Sequence, residues 1–549
     1  MTIILYATYF VIGLYLLRKT QVRLRLSMAK HPSLSGHSKM MRRVSKLLPA
    51  YTIDAEHFFS ADNAPVDISE KRKSGFFRLS THFSEKMPKT IQAGAELKNG
   101  IPDIDFTSSY RVPFQFATLV KENIKLGSLI SETKGTKVKD LDGNWSYDLT
   151  GSYGVNLFGY EFYKECMDKG QQQVKDLGPV LGAYHPAVIE NVKYLKDISG
   201  LDEVSFHMSG TEAVMQAVRL ARYHTGKKHL VRFCGAYHGW WDGVQPGIGN
   251  QRNNNDIYTL KEMDNDTLKV LKTRSDIACV LINPLQAMHP NANPPSDSML
   301  IASGRHAHYD KAAYAQWLQE LRAVCTERGI VLIMDEIFVG FRLAYRGAQE
   351  YFSVKADMVT YGKTLGGGLP VGVVCGKRVL MKRFKENRPV HICFARGTFN
   401  AHPVVMASMN EFLKKIDTPD IQATYKNIDT YWNNRVNELN NRFAQNNLPV
   451  KIVNMVSVWT FLFTVPSRYN WMYQFYLRAE GLAISWIGSG RIIMSHDFTE
   501  DEYEEVMHKI ISAAKEMKND GWWWQNEGLT NKSIKLKVVR ELVASIFHN

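Results

Sequence analysis

The chain has 549 residues, a formal net charge of +14, and 45% hydrophobic and 22% charged residues, a composition too apolar for disorder and long enough for more than one domain. Nine of its cations lie between Arg18 and Lys46 with no Asp or Glu among them, so the remainder is only mildly basic and nucleic-acid binding is not indicated. Six cysteines (166, 234, 279, 325, 375 and 393) show no Cys-x-x-Cys or metal spacing and the 17 histidines form no cluster, which points away from a zinc module or disulfide scaffold and towards a reduced compartment.

In chain order, Thr2 to Leu17 is a run of 16 uncharged, mostly apolar residues, including Ile3, Ile4, Leu5, Phe10, Val11 and Leu14. The positive charges follow the run and no small-residue cleavage site is present, so a signal peptide is not expected. The reading is a membrane anchor helix over 1–17, either transmembrane or lying in the interface, since 16 residues fall slightly short of the roughly 17–25 that spanning needs; anionic headgroups hold it at the basic stretch, with the catalytic part facing the cytoplasm. Residues 51–107 are of mixed character and carry no readable motif.

Further on, Ser209-Gly210-Thr211-Glu212-Ala213 opens a helix whose apolar positions continue as Val214, Ala217, Val218 and Ala221. Such a start offers backbone N–H groups, hydroxyls and the positive dipole end to a phosphate, although the same residues also make a plain cap. Gly235-Ala236-Tyr237-His238-Gly239-Trp240-Trp241 sets an aromatic ring in a glycine-bounded turn. A polar, proline-rich stretch from His289 to Asp310, with Pro290, Pro294, Pro295, His306 and His308, reads as a lid or a loop. Five apolar residues, Ile330 to Met334, predict a buried parallel strand that delivers Asp335 to its carboxyl end, where open α/β sheets bind ligands. Met358 to Tyr361 repeats the arrangement for Lys363. Gly362-Lys363-Thr364 also ends like a phosphate-binding loop, but that loop requires glycine where the chain has Asp357. Arg396-Gly397-Thr398-Phe399-Asn400-Ala401-His402-Pro403 closes a loop and starts a helix, and Ser533 to Phe547 reads as an amphipathic helix, with packing against its own dimer as the expected use and a second membrane contact as the alternative.

Lys363 follows Asp335 by 28 positions. An aldehyde cofactor needs an amine to hold it as a Schiff base and a carboxylate to keep a ring nitrogen protonated, so that the ring accepts carbanion electrons. This pairing is the chemistry of pyridoxal 5'-phosphate.

The ordered set of motifs resembles the class III, fold type I pyridoxal phosphate aminotransferases, from about Ser108 to about Met517, and is most similar to glutamate-1-semialdehyde aminomutase and the aminotransferase modules of polyketide assembly lines. The resemblance implies an α/β fold with a large domain built on a mainly parallel seven-stranded sheet and a smaller α+β domain. It implies that Ser209, Gly210 and Thr211 hold the cofactor phosphate, that Tyr237 stacks on the ring beside His238, that Asp335 pairs with the ring nitrogen, that Ile337 packs the opposite face, and that Lys363 carries the cofactor. Thr398 resembles the threonine that reaches the phosphate of the neighbouring subunit, implying a homodimer with shared sites. Lys139-Asp140-Leu141-Asp142-Gly143-Asn144-Trp145 resembles the family's early hairpin, with Ser152 and Tyr153 near the substrate entrance, and Arg111 resembles the arginine that meets a substrate carboxylate.

Two departures bear on substrate. Where the family has a Glu-Pro pair, this chain has Asn283-Pro284, and Ser485-Trp486-Ile487-Gly488-Ser489-Gly490-Arg491 contains no acid where the aminomutase has a glutamate. Glutamate semialdehyde therefore fits poorly.

The expected organisation is an anchor over 1–17, a basic linker and extension over 18–107, a small domain from 108–159 and 416–520, a cofactor domain over 160–415 and a terminal helix within 521–549. The expected activity is transfer of an amino group from an amino acid to a lipophilic or carrier-bound carbonyl at a membrane, with an acyl carrier protein or acyl thioester as a partner. Decarboxylative condensation of an amino acid with an acyl thioester uses the same electron sink and stays open, as does a non-catalytic membrane scaffold, against which the intact Lys363, Asp335 and Thr398 argue.

Overall fold

The computed structural model describes residues 2–32, 37–109, 111–245, 247–252, 255–291, 309–485 and 491–548. The chain divides into two compact units. The first comprises Met1–Ser45, Lys169–Asn293 and Asp310–Thr418. Its centre is a seven-stranded sheet of β1 (Glu203–His207), β2 (His229–Phe233), β3 (Ile257–Leu260), β4 (Ile277–Ile282), β5 (Val331–Asp335), β6 (Met358–Gly362) and β7 (Gly372–Gly376), in the order β1-β7-β6-β5-β4-β2-β3. The β3, β2, β4, β5 and β6 neighbours run parallel, and only β7 is antiparallel to its neighbours β6 and β1. Strands β4 and β5 are buried along their whole length, which is why Ile277–Ile282 and Val331–Met334 are continuous apolar runs and not alternating ones. The parallel strands carry their carboxyl ends to one edge, and Asp335 and Lys363 reach it from adjacent strands, with Asp335 paired to Thr360.

Helix α1 (Thr2–Met28) belongs to the same unit. Its carboxyl end packs on α2 (Asn265–Thr273), and the Lys261 N–H donates to the Ala29 carbonyl at 2.8 Å. The side chains from Ile4 to Leu17 are almost all exposed. The expected transmembrane helix is corrected: among the described residues no helix is long and apolar enough to cross a membrane, because Arg18 and Lys19 interrupt the run one residue short of the roughly 17–25 that spanning requires. Residues 292–308, the bulk of the proline-rich stretch with His306 and His308, lie outside the described residues.

Among the described residues the second unit comprises Lys46–Asp168 and the chain from Pro419 onward. The hairpin of Lys137–Asp140 and Trp145–Asp148 pairs antiparallel, and Leu482–Ala483 joins it in parallel. A second sheet joins Val450–Met455, Val458–Phe463 and Arg491–Ile493. Residues 51–107, silent in the sequence, supply helices Val66–Lys86 and Pro88–Lys98. Their signal fails because the first of these helices buries a cation: Arg72 is fully buried, forms a two-pronged pair with Asp62 at 2.8 Å and stacks over Tyr469 at 4.5 Å. The terminal helix, Asn531–His548, is tied to its own unit, since Glu541 accepts from the buried Arg468 at 2.6 and 2.7 Å and from Tyr51 at 3.0 Å.

Candidate active site at the carboxyl edge of the sheet

Four of the segments singled out in the first unit, those of Ser209, Tyr237, Asp335 and Lys363, meet at this edge. Helix α3 (Gly210–Thr225) is capped by Ser209, whose hydroxyl accepts from the Glu212 N–H at 3.3 Å, while Glu212 reaches back to the Met208 N–H at 2.9 Å. The Gly210 and Thr211 N–H groups head the helix, where its dipole favours an anion. A β-carbon at Gly210 would come 2.7 Å from Ile337 Cδ1 and 2.9 Å from Ile337 Cγ2, so a side chain there would have to displace Ile337. A β-carbon on Gly362 would lie 3.3 Å from Ile337 Cγ2, so Ile337 packs between the helix start and the strand that presents Lys363. The turn after β2 closes onto the same helix, since a β-carbon on Gly239 (φ +91°) would meet Thr211 Oγ1 at 2.3 Å.

Asp335 is buried and accepts from the Ile337 N–H at 3.2 Å. Its other oxygen lies 2.7 Å from His238 Nδ1. Burial holds the His238 pKa below its usual value, against the pull of Asp335, so the ring is neutral; a carboxylate can only accept, hence Nδ1 carries the proton. His238 Nε2 is buried with no partner among the described residues. Lys363 adopts left-handed backbone (φ 48°), a strained conformation for a residue with a side chain. Burial lowers its pKa, Asp335 acts in the opposite sense, and Arg342 adds to the lowering; its Nζ lies 5.7 Å from the centre of the Phe338 ring. Tyr237 is 55% exposed and lies within electrostatic reach of Asp335.

Several participants have no sequence signature. Asn283, where the family's acid would stand, donates to the Tyr237 carbonyl at 3.1 Å, and Gln286 donates to the Gly235 carbonyl at 2.6 Å. A lost charge was legible there; a pair of tethers on the Tyr237 turn was not, because it depends on β4 lying next to β2. Thr360, 3.5 Å from Asp335, Phe338 and Arg342 were also missed. Glu336, next to Asp335, faces elsewhere: it accepts from the Ala348 and Gln349 N–H groups, and burial raises its pKa to about 8.

The structure thus gathers Ser209, Gly210, Thr211, Tyr237, His238, Asp335, Ile337 and Lys363. Thr398 stands exposed on the loop before α4 (Pro403–Ile416). Arg111, Ser152 and Tyr153 belong to the second unit, and residues 486–490 lie outside the described residues. The gathered residues fit pyridoxal phosphate: a helix start without a side chain at Gly210 suits a phosphate, the half-exposed Tyr237 suits a flat heterocycle, and an amine with a depressed pKa suits an aldehyde. Among the described residues no group of His, Cys, Asp or Glu is arranged to hold a metal.

Comparison with known proteins agrees. The family model "Aminotransferase class-III" matches residues 120–514. Glutamate-1-semialdehyde 2,1-aminomutase of Methanocaldococcus jannaschii is 30% identical over 352 residues, covering 61% of this chain and 76% of that protein. The enzyme of the same name from Persephonella marina is 33% identical over 323 residues, covering 55% and 69%. The crystal structure of a glutamate-1-semialdehyde-aminomutase from Pseudomonas aeruginosa PAO1 superposes with a TM-score of 0.65 over 82% of this chain and 99% of that one, at 17% identity, a likeness of fold alone.

Proposed function

From the premise that this chain belongs to the class III aminotransferases and is a pyridoxal-phosphate-dependent enzyme, we propose that it moves an amino group from an amino-acid donor to a lipophilic or carrier-bound carbonyl at a membrane surface. The observation that carries the chemistry is the convergence of Lys363, Asp335 and His238 at one sheet edge. Pyridoxal phosphate, when bound, supplies an aldehyde for amines and a ring that withdraws electrons from Cα. Gly210 and Thr211 would hold its phosphate, Tyr237 and Ile337 its two faces and Asp335 its ring nitrogen. The lowered pKa of Lys363 gives a larger neutral fraction, so its amine would hold the cofactor's aldehyde and, once displaced by the donor amine, would remove the proton from Cα and deliver it to the cofactor's carbon, the shift that amino transfer requires. His238 donates to Asp335 and fixes the direction in which the carboxylate points.

Location rests on α1. A helix with its apolar side chains exposed from Ile4 to Leu17, followed by nine cations, suits an interface where the apolar residues enter the headgroup boundary and each cation contributes about 1 kcal/mol. Such a helix lies on the bilayer, with the catalytic units on the cytoplasmic side and a second copy of the chain completing the sites.

The deciding experiment gives full-length protein single amino acids, with and without acyl thioesters, and follows oxo acid and carbon dioxide. Oxo acid without carbon dioxide supports amino transfer; thioester-dependent carbon dioxide overturns it in favour of condensation. The names of the relatives favour a second reading, internal amine exchange, which conversion of glutamate semialdehyde without any donor would establish. Flotation with vesicles containing anionic lipid, lost on deletion of residues 2–17, tests the membrane part.

A further inference from the structure

The turn that carries Tyr237 and His238, after strand β2 of the first unit, is held at three consecutive carbonyls by three side chains. Gln286 donates to the Gly235 carbonyl at 2.6 Å, Arg232 to that of Ala236 at 2.5 Å and Asn283 to that of Tyr237 at 3.1 Å. The backbone adds the bond from the Ala236 N–H to the Phe233 carbonyl at 3.3 Å. Gly235 (φ +86°) and Gly239 (φ +91°) bend the chain at either end. The ring and the imidazole are therefore aimed by a segment with little regular structure of its own, and their aim depends on what holds those carbonyls.

Two of these donors are neutral amides and the third is a cation. Arg232 lies on β2, every residue of which is buried, between Leu281 of β4 and Thr259 of β3. It is 6% exposed, and its Nε is buried without a hydrogen-bond partner among the described residues. Among those residues no carboxylate pairs with it, since Asp335 is already taken by His238 and the Ile337 N–H. Burial brings its pKa to about 10, which leaves it charged at neutral pH. That charge is felt at His238, where it adds to the effect of burial and opposes Asp335, so the guanidinium stands close to the imidazole. An aliphatic side chain would fill this position in a buried parallel strand without the cost of desolvating a cation. What the arginine supplies instead is a charge-assisted bond to one carbonyl, roughly twice as strong as a bond from a neutral donor.

We propose that Arg232 is a positioning residue of the cofactor site: by holding the Ala236 carbonyl it fixes, together with Gln286 and Asn283, the tilt of the Tyr237 ring and the approach of His238 to Asp335. Arg232 acts through the turn, and its role is the same whichever carbonyl receives the amine.

The test uses full-length protein freed of cofactor, as the parent and as Arg232→Met and Arg232→Lys. Methionine keeps an unbranched side chain but donates nothing, whereas lysine keeps a charge and a donor. Hydrogen exchange of the segment 234–241 should be about tenfold or more faster in Arg232→Met, the worth of one bond from a charged donor, and close to the parent rate in Arg232→Lys. Pyridoxal 5'-phosphate in equilibrium dialysis should bind Arg232→Met about tenfold or more weakly for the same reason, with most of the affinity recovered by lysine. Melting temperatures of the cofactor-free proteins should stay equal or rise, because a buried cation is removed. Parent-like exchange and affinity in a folded Arg232→Met protein would overturn the role. So would faster exchange across the whole sheet with a lower melting temperature and no recovery by lysine, the pattern of an arginine that only packs. If Arg232→Met does not fold, Arg232→Gln decides, since glutamine is neutral and shorter: faster exchange confined to 234–241 with weaker cofactor binding supports the role, and parent-like values overturn it.

Discussion

His238 Nδ1 stands 2.7 Å from Asp335 Oδ2, both groups buried, with the remaining carboxylate oxygen held by the Ile337 N–H. The histidine is neutral because burial lowers its pKa, so it orients the carboxylate without cancelling its charge. Replacing it should leave Asp335 in place but less firmly aimed. His238→Phe is expected to lower kcat about 10–100-fold, the range for groups that orient a ligand of the reacting centre, with His238→Asn recovering part of the loss. Cofactor should still attach to Lys363. Unchanged kcat in a folded His238→Phe protein would remove the positioning role.

Lys363 combines strained backbone with a depressed pKa. Lys363→Ala should abolish borohydride-stable attachment of the cofactor and reduce turnover by at least about a thousandfold, since attachment and proton transfer are lost together. The substitution keeps the β-carbon and therefore the backbone strain, but it removes a buried amine, so thermal stability of the cofactor-free protein should stay equal or rise. For a lysine whose folded pKa is lowered, the unfolded chain binds more protons between the folded value and 10.5, so cofactor-free wild-type protein gains stability as pH rises through that window. Lys363→Ala should flatten that part of the profile in thermal melts taken at successive pH values.

The parts of this architecture legible in the chain were those written in local pattern. Ile330 to Met334 and Met358 to Tyr361 are apolar runs of strand length, and they form β5 and β6. Ser209-Gly210-Thr211-Glu212 is a cap, and α3 starts there. What escaped depends on neighbours distant in sequence. Asn283 matters through the Tyr237 carbonyl, 46 positions away. The helix Val66–Lys86 hides its register because Arg72 sits at a core position, which is tolerable only with Asp62, the Gly521 carbonyl and the Tyr469 ring around it. The membrane-spanning expectation failed on length: α1 continues to Met28, yet four charges from Arg18 onward end its apolar part.

Asn283 donates to the Tyr237 carbonyl and accepts from the Leu285 N–H at 3.1 Å. Aspartate keeps only the second bond and places two acceptors face to face; alanine loses both. Asn283→Ala should weaken cofactor binding about 5–10-fold, the worth of roughly 1–1.5 kcal/mol for a hydrogen bond, and Asn283→Asp should weaken it further. Equilibrium dialysis of the cofactor checks the order, and equal affinity in all three proteins would mean that the turn holds itself.

Glu262 lies just after β3, where its carboxyl accepts from Tyr314 at 2.6 Å while its second oxygen is buried without a partner among the described residues, and burial raises its pKa to about 8. Glu336, also buried, is raised to about 8. For an acid whose folded pKa is raised from 4.5, the folded state binds more protons between those values, so stability is full below pH 4.5, falls as pH rises through the window and levels off above about 8. Glu262→Gln keeps the shape and supplies N–H donors in place of the acid proton, with no ionisation to oppose folding. The variant is therefore expected to match the parent near pH 5 and to be more stable above pH 8, with its melting temperature declining less steeply between them; Glu336 and Asp497, the latter raised to about 6 by burial, contribute to the slope left over. A parallel decline in the two proteins would show that Glu262 is ionised in the fold at neutral pH, and that its second oxygen has found a donor.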